Sequence, residues 1–338
     1  MTAARAAQIT AFLAAAGWGN AARSHLAGDA SARRYERLAR NGARAVLMDA
    51  PPGCGDDVAD FDRISRHLAG LGLSPPVTFA VDPAAGLMLL EDLGDDLFTD
   101  VVARDPAAEA PLYLAAGEVL LTLQAAPPPL PLPDLSAEDW ARSASLAPEF
   151  YARAVTGTAP EGHGLEQALA AALRAHADGP RVLILRDYHA GNLLWLPERR
   201  GAARVGLLDF QLGQLGQPEY DLVSLLQDAR RDVAPATEAA VMQRFAAARG
   251  QTVEAIAPAC AALGALRALR ILGIFARLCL VAGKDRYLVH LPRVWDQLQR
   301  NLSHPALADL RQECAILPPP SPENIERIRS RCGSEPSL

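Results

Sequence analysis

The stretch from Val182 to Asp228 constrains the fold of this 338-residue chain more than any other part. Two short apolar runs within it each end in an aspartate, Asp187 after the first run and Asp209 after the second. Asn192 follows Asp187 after four intervening residues. Apolar runs of this length with polar ends are typical of short strands. The polar side chains at those ends are candidates for a functional site rather than for a core.

The two apolar runs, Val182–Leu185 and Val205–Leu208, predict two strands. The polar segment Pro197–Ala203 predicts the turn that joins them. A hairpin of this kind would place the two aspartates and the asparagine at one of its ends. The simpler interpretation is a β-hairpin with acidic residues at its turn and no chemistry.

Two carboxylates and an amide in this order suit phosphoryl transfer. One aspartate orients an attacking hydroxyl and accepts its proton, while the asparagine and the second aspartate hold Mg²⁺ against nucleotide phosphates. The order D-x-x-x-x-N, followed by a strand that ends in D-F, is specific in combination. The stretch therefore predicts a kinase site.

Composition agrees with a cytosolic enzyme. With 338 residues, of which 50% are hydrophobic, the chain can bury a large core and should divide into two lobes. A net charge of −6 gives no support to nucleic-acid binding. The N-terminus lacks the pattern of a signal peptide, and we expect a cytoplasmic protein. The cysteines are odd in number and lack C-x-x-C spacing, so we expect reduced thiols: Cys54, Cys260, Cys279, Cys314 and Cys332.

The first ninety residues predict strands and two helices. An alanine-rich helix is expected at Ala4–Ala16, and an amphipathic helix at Val58–Leu71. The expected strands of this part are Ala45–Met48, Val77–Ala80 and Leu87–Leu90.

Everything after residue 93 reads as mainly helical, with expected helices at Leu112–Gln124, Ala137–Val155, Leu165–His176, Tyr220–Asp232 and Ala255–Ala282. We therefore predict a bilobal α+β fold. Its lobes are residues 1–93 and 94–317, followed by a loosely ordered Pro- and Ser-rich tail, 318–338.

The segment Ala255–Ala282 is apolar enough to resemble a membrane span. Arg267, Arg270 and Arg277 recur along it at spacings of three and seven, which makes one polar stripe. A mostly buried helix of a soluble protein with an arginine face fits this pattern better. We therefore predict no membrane association.

A small-residue loop lies near the N-terminus and is followed by a basic strand. Gly28-Asp29-Ala30-Ser31 precedes Arg33, Arg34 and Arg37. Small residues with backbone freedom at the tip of a hairpin can lie over phosphates. A plain surface hairpin with a basic strand fits the same pattern.

The chain resembles the aminoglycoside phosphotransferase and choline kinase superfamily, which has a protein-kinase-like fold. Within it, the chain is most similar to bacterial cell-wall amino-sugar kinases, which phosphorylate the anomeric hydroxyl of N-acetylmuramate and N-acetylglucosamine. The pieces that carry the resemblance are GDASARRYERL, VLMDAPP, LEDLG, RDYHAGNLLWL, LLDFQ, YDLVSLLQDARRDV and LGIFARLCLVAGKDRYLVHLPRVW. The fold implied has a small N-terminal lobe with an antiparallel sheet and a larger, mainly helical C-terminal lobe.

The resemblance implies an ATP-dependent, Mg²⁺-dependent kinase and assigns roles to the motif residues. Asp187 matches the catalytic base, and Asn192 and Asp209 match the metal ligands. Arg186 and Asp221 match residues that support the catalytic loop. The ATP-binding positions implied are Gly28, Asp29, Ala30, Ser31, Arg33, Arg34, Glu91, Asp92 and Leu93.

One departure from the superfamily concerns the strand lysine that normally grips the α- and β-phosphates. Met48 occupies roughly its place, and Lys284, far along the chain, is the only lysine. An arginine of the basic strand should neutralise the phosphates instead, since its planar fork suits phosphate oxygens. Alternation puts Arg33 and Arg34 on opposite faces of the strand, and alternation alone does not choose between them. In the remaining interpretation, these arginines are solvated surface charges.

Candidate acceptor-binding residues are Asp228, Arg231 and Arg277. An arginine-rich region argues for a neutral or anionic sugar rather than a polycationic aminoglycoside. Two alternatives stay open: a kinase of the same superfamily for an aminoglycoside, choline or homoserine, and a non-catalytic nucleotide-binding pseudokinase. No obligate protein partner is implied.

Overall fold

The computed structural model describes residues 2–26, 33–53 and 58–336. Its α helices are α1 (Ala3–Ala15), α2 (Val58–Gly70), α3 (Phe98–Arg104), α4 (Glu109–Gln124), α5 (Ala137–Arg142), α6 (Arg153–Thr156), α7 (His163–His176), α8 (Glu219–Leu226), α9 (Pro235–Ala248), α10 (Val253–Leu280), α11 (Leu291–Leu302), α12 (Ala308–Glu313) and α13 (Pro322–Arg329). Its strands are β1 (Ala22–Leu26), β2 (Arg34–Arg40), β3 (Ala43–Asp49), β4 (Thr78–Asp82), β5 (Leu87–Glu91), β6 (Val182–Ile184), β7 (Leu193–Trp195), β8 (Val205–Leu207) and β9 (Gln214–Gly216). The predicted α+β class is confirmed.

The chain forms two compact units. The first contains Met1–Pro131 and Leu185–Gly213, and the second contains Leu132–Ile184 and Gln214–Leu338. The segment 185–213, which carries the polar motif, therefore belongs to the same unit as the N-terminal sheet.

An antiparallel sheet with the order β1-β2-β3-β5-β4 forms the centre of the first unit. Asn41 and Gly42 connect β2 to β3 with backbone φ angles of 51° and 80°. Two consecutive residues with positive φ are typical of the tight hairpin turn that an Asn-Gly pair favours. This turn sets a register in which Tyr35 lies opposite Met48.

Helix α1 packs on one face of this sheet. Its buried Ile9 and Leu13 form a core cluster with sheet residues that include Leu38, Leu47 and Leu89. Thr2 caps the helix by accepting a hydrogen bond from the backbone N–H of Arg5. The helix predicted at Ala4–Ala16 is confirmed as a packing element.

Helix α2 presents the apolar stripe that the sequence predicts, with Phe61, Ile64 and Leu68 buried. The ring of Phe61 lies 4.7 Å from that of Phe210, which follows Asp209 directly. This contact anchors one end of the polar motif to the helix within the first unit.

The predicted hairpin between Val182–Leu185 and Val205–Leu208 is wrong. β6 pairs with β9 in the second unit, and β8 pairs instead with β7 in the first unit. β7 begins at Leu193, directly after Asn192, and the turn between β7 and β8 includes the predicted segment Pro197–Ala203.

Helix α10 is the core of the second unit. It is long and apolar enough to cross a membrane, but 83% of its most apolar window is buried inside the protein. It packs against α7, α8 and α11. Arg267 and Arg270 on this helix lie over the rings of Tyr220 and Trp140. This is a core helix whose arginines stack on aromatic rings.

Two predicted features of the second unit differ from the structure. The continuous helix expected at Ala137–Val155 is broken, because a 3₁₀ turn and a π-helical segment, Ala147–Ala152, separate α5 from α6. The tail expected to be loosely ordered contains α13, and Ile328 of that helix is fully buried. The hydroxyl of Tyr151 also donates to the carbonyl of Pro318 at 2.7 Å.

Candidate active site

Two residues of the polar motif have a left-handed backbone. The φ angle is 70° at Arg186 and 57° at Asp209. Non-glycine residues in this region of φ and ψ are uncommon, and they persist where the surrounding structure fixes them, often at functional sites. Both residues come at the ends of the apolar runs that the sequence marks.

Asn192 joins the two halves of the motif. Its backbone carbonyl accepts a hydrogen bond from Leu208 at 3.0 Å, one residue before Asp209. Its side-chain amide donates to the backbone carbonyl of Asp187 at 2.9 Å. The structure therefore brings Asp187, Asn192 and Asp209 together in the first unit, although the strands that carry them pair differently from the prediction.

Each of these side chains keeps oxygen atoms available. Among the described residues, the Asp187 carboxylate makes no hydrogen bond or ion pair, and the side chain is exposed. The same part of the chain offers no partner to Asn192 Oδ1 or to Asp209 Oδ2. Oxygen atoms from a carboxylate and an amide are ligands that a hard cation such as Mg²⁺ prefers. The donor set therefore fits Mg²⁺ at Asn192 and Asp209.

Arg33 lies beside Asp209. Its guanidinium nitrogen Nη2 is 2.7 Å from Asp209 Oδ1, and its Nη1 donates to the hydroxyl of Tyr35 at 3.1 Å. Arg33 is only 8% exposed, whereas Arg34 on the opposite face of the strand is exposed. Of the two arginines that alternation left open, Arg33 is the one that the structure places at the motif. Met48 is fully buried in the core.

The segment after β5 is held by ion pairs. The guanidinium of Arg37 lies 2.8 Å from the carboxylate of Asp92 and 2.7 Å from that of Asp95. The hydrogen bond that Arg37 donates to Asp95 lowers the pKa of Asp95. Glu91 pairs with Arg199 at 2.6 Å. The carboxylates of Glu91 and Asp92 thus fix the segment, while the backbone N–H and C=O of Leu93 make no hydrogen bond to the described residues.

The remaining predicted residues lie elsewhere. Gly28, Asp29, Ala30 and Ser31 fall outside the described residues. Asp221, Asp228, Arg231 and Arg277 belong to the second unit.

Asp221 in α8 is fully buried, as a structural residue would be. Asp228 is also buried. Its Oδ1 accepts a hydrogen bond from the backbone N–H of Arg230 at 2.8 Å, and its Oδ2 has no hydrogen-bond partner among the residues that the structure describes. Arg277 is exposed and lies over the ring of Phe150 at 5.9 Å.

A cavity of about 430 Å³ lies within the second unit, near Asp228 in sequence. Its lining includes Asp232, Arg293 and Arg300. Arg293 holds Asp232 at 2.7 Å, and this hydrogen bond lowers the Asp232 pKa. The cavity therefore presents charges of both signs.

Gln211 is a site residue that the sequence did not reveal. Its amide nitrogen Nε2 donates to Asp209 Oδ1 at 2.9 Å. Its position two residues after Asp209, in D-F-Q, was the available signal.

Comparisons with known proteins show the family to which the chain belongs. The model of the phosphotransferase enzyme family matches residues 23–263. The chain is 41% identical over 348 aligned residues to the N-acetylmuramate/N-acetylglucosamine kinase of Caulobacter vibrioides, covering 91% of this chain and 95% of that protein. It is 32% identical to the protein of the same name from Pseudomonas aeruginosa, covering 90% of this chain and 92% of that protein.

Solved structures show the fold. A choline/ethanolamine kinase family protein from Mesorhizobium loti matches with a TM-score of 0.61 at 16% identity, covering 96% of this chain and 99% of that one. A mutant of aminoglycoside phosphotransferase APH(4)-Ia, solved with ADP and hygromycin B, matches with a TM-score of 0.59 at 16% identity, covering 88% of this chain and 99% of that one. The fold is thus the protein-kinase-like fold, and the chain belongs to the phosphotransferase enzyme family.

Proposed function

We propose that this chain is an ATP- and Mg²⁺-dependent kinase that phosphorylates the anomeric hydroxyl of N-acetylmuramate and N-acetylglucosamine. It would act in the cytoplasm, in cell-wall recycling. The names of relatives that share 41% and 32% of their aligned residues with nearly the whole chain support this acceptor. Residues 1–93 are proposed as the nucleotide-binding lobe and 94–317 as the catalytic and substrate lobe.

The observation that carries the proposal is the grouping of Asp187, Asn192 and Asp209 with available oxygens on a backbone joined by hydrogen bonds. Within the described residues, the Asp187 carboxylate, Asn192 Oδ1 and Asp209 Oδ2 hold no other group in place, so these oxygens serve no structural purpose there. It matches the division of labour that phosphoryl transfer needs: one carboxylate for the acceptor and two ligands for a cation.

In the proposed reaction, Asp187 orients the acceptor hydroxyl and takes its proton as the acceptor oxygen bonds to the γ-phosphorus of ATP, while the bond between that phosphorus and the β,γ-bridging oxygen breaks and ADP leaves. Asn192 Oδ1 and Asp209 Oδ2 hold Mg²⁺. These two oxygens would place a positive charge against the negative charge that develops on the transferred phosphoryl group. Arg186, with its left-handed backbone, fixes the direction in which Asp187 leaves the preceding strand. Asp221, which is buried in the second unit, is proposed to have a structural role.

The nucleotide has proposed contacts in the first unit. Adenine pairs with the backbone of the segment Glu91–Leu93, where the N–H and C=O of Leu93 are available. Gly28, Asp29, Ala30 and Ser31, which lie outside the described residues, are proposed to bind the phosphates because the resemblance assigns them that role. Arg33 supplies the positive charge that the superfamily takes from a lysine, and its burial strengthens such a charge by excluding water.

The acceptor is proposed to contact the second unit through Asp228, Arg231 and Arg277. The buried carboxylate of Asp228 has one oxygen that no described residue hydrogen-bonds, and a sugar hydroxyl could donate to it. Arginine suits the carboxylate of the lactyl group of N-acetylmuramate.

A phosphorylation assay with matched sugars tests the proposal. ATP–Mg²⁺ is supplied with N-acetylmuramate, N-acetylglucosamine or the methyl glycoside of N-acetylglucosamine, and the products are identified by ³¹P NMR. We expect anomeric phosphates from the two free sugars. No product is expected from the glycoside, because its anomeric oxygen carries a methyl group.

The same assay includes kanamycin, choline and homoserine as acceptors of other kinases with this fold. Transfer to one of these, and to neither sugar, would refute the proposed acceptor. Phosphorylation of the methyl glycoside would be consistent with a sugar acceptor, but it would refute transfer to the anomeric hydroxyl. ATP binding without transfer to any acceptor would favour a pseudokinase.

A further inference from the structure

Gln211 is buried beside Asp209. Only 6% of the residue is exposed, and its Nε2 donates to Asp209 Oδ1 at 2.9 Å. It follows Phe210, whose ring is fully buried against Phe61. Because Phe210 already anchors this part of the chain, the loop does not need the amide of Gln211 as a second anchor.

The hydrogen bonds around Asp209 are unequal on its two oxygens. Oδ1 accepts a hydrogen bond from Gln211 Nε2 and another from Arg33 Nη2, the latter at 2.7 Å. Oδ2 has no partner in the described part of the chain, and the side chain of Asp209 is 38% exposed. Two donors on one oxygen fix the rotation of the carboxylate and direct the other oxygen away from both.

An arginine beside a carboxylate tends to bind both of its oxygens, since the guanidinium fork matches them. In the described part of the chain, Arg33 contacts only Oδ1 of the Asp209 carboxylate. The amide of Gln211 competes for the carboxylate and holds it in a rotation in which Arg33 reaches a single oxygen. Without that amide, rotation toward the fork would engage Oδ2 as well.

Burial of the Gln211 amide also costs free energy. Gln211 Oε1 is buried and has no hydrogen-bond partner in the described structure. A buried polar atom without a partner costs free energy that an apolar side chain of similar size avoids. Retaining glutamine here therefore points to a role for its Nε2 donor.

We propose that Gln211 is a positioning residue that keeps Asp209 Oδ2 available for the cation by preventing a two-oxygen pair with Arg33. This inference rests on the proposed role of Asp209 as a metal ligand. Its effect should appear in the metal-dependent part of nucleotide binding, since the contact through which Gln211 acts is its hydrogen bond to Asp209.

Isothermal titration of the full chain with ADP, in excess Mg²⁺ and in EDTA, tests the proposal. The quantity compared is the dissociation constant measured in EDTA divided by the dissociation constant measured in excess Mg²⁺. In Gln211→Leu, we expect this ratio to fall about tenfold, the lower range for losing a hydrogen bond to a charged group. The dissociation constant in EDTA should stay within about twofold of wild type. The Mg²⁺ concentration for half-maximal turnover should rise in parallel.

The controls separate this inference from the proposed function. Leu212→Ala changes the exposed neighbour of Gln211 and should keep the wild-type ratio. Asp209→Ala should abolish most of the Mg²⁺ effect. If wild type shows no Mg²⁺ effect, or if Asp209→Ala retains it, the proposed metal site fails, and this inference fails with it.

If Asp209→Ala behaves as expected and Gln211→Leu keeps the wild-type ratio, only the role of Gln211 is refuted. Equal weakening with Mg²⁺ and with EDTA would also refute it, since that is the result of general disruption. Gln211→Asn provides a second variant should the leucine protein not fold. It retains an amide that is one methylene too short to reach Asp209, and it should lower the ratio in the same direction.

Discussion

Arg33 is buried beside the carboxylate of Asp209, whereas Arg34 is exposed. The guanidinium of Arg33 lies on Asp209, while Arg34 points from the opposite face of the strand. Triphosphate brings several negative charges next to Asp209, and leaving them unopposed in a partly dry site is costly.

We therefore expect Arg33→Met to raise the Michaelis constant for ATP by about tenfold or more, as for loss of a charge-assisted hydrogen bond. Arg34→Met, the matched control, should change it less than about twofold, within the usual effect of a surface substitution. Steady-state kinetics at saturating acceptor measures both. If both variants keep wild-type ATP kinetics, the phosphates are neutralised by metal and backbone amides alone.

Asp187 offers a separate test at the same scale. Its carboxylate makes no hydrogen bond to the described residues, so Asp187→Asn should leave the fold and ADP affinity nearly unchanged. Turnover should fall by at least ~10², the lower range for removing a positioned general base. Rapid-quench kinetics and ADP titration measure the two quantities. Wild-type turnover in this variant would remove Asp187 from the mechanism.

The site residues differ in how visible they are in the sequence. Asp187, Asn192 and Asp209 stand at fixed spacings after apolar runs, and the structure groups them; their catalytic and metal-binding roles remain predictions. The choice between Arg33 and Arg34 needed the structure, because alternation gives two faces without saying which one meets the motif. Gln211 had only its position two residues after Asp209 as a signal, and its role depends on a side-chain contact that the structure shows.

At the scale of helices and strands, the sequence was sufficient to predict an element whose buried side chains recur with a regular period. α2 begins at the predicted Val58 and ends within one residue of the predicted Leu71, because its apolar stripe and its glycines are both local signals. The pairing of the short strands was not predictable in this way. Runs of three residues carry little register information, and β6 finds its partner, β9, thirty residues away in sequence.

Helix α10 depends on close approach that only glycine permits. A Cβ atom on Gly273 would lie 2.3 Å from the backbone carbon of Leu146 and 2.4 Å from its oxygen. Backbone atoms cannot move aside as a flexible side chain can. Gly273→Ala should therefore lower the free energy of unfolding by about 1–3 kcal/mol, as overpacking does.

Gly70, at the end of α2, is the matched control. A Cβ there would meet nothing within 4 Å, and alanine favours the helix by up to about 1 kcal/mol. Urea unfolding of both variants measures the difference. Equal stability of Gly273→Ala and Gly70→Ala would show that α10 can shift away from Leu146.

On the scale of the whole molecule, the chain does not divide into compact units at one point. It leaves the first unit after Pro131, returns to it at Leu185 and leaves again after Gly213. Sequence reading follows changes of pattern along the chain, so it describes continuous segments. The predicted boundary after residue 93 remains a prediction about lobes, and the return of residues 185–213 depends on contacts that are distant in sequence.

The C-terminal segment shows the same limitation. Its Pro- and Ser-rich composition predicts loose order, yet several contacts join it to the second unit. Gly333 and Glu335 donate backbone hydrogen bonds to Cys279 and Leu280, and Arg153 pairs with Glu335 at 2.7 Å. Burial raises the pKa of the Cys279 thiol to about 12, which keeps it protonated near neutral pH.

We expect Ile328→Ala to lower the free energy of unfolding by about 2–5 kcal/mol, because Ile328 is fully buried and its loss leaves a cavity. Arg327→Ala, at the exposed neighbouring position, should stay within about 0.5 kcal/mol of wild type. Removal of residues 318–338 should lower the melting temperature at least as far as Ile328→Ala does, since it also deletes the hydrogen bonds to Cys279 and Leu280. Thermal unfolding followed by circular dichroism compares the three proteins. If the truncated chain and Ile328→Ala both melt at the wild-type temperature, residues 318–338 contribute no stability, and the loose order predicted from their composition would be correct.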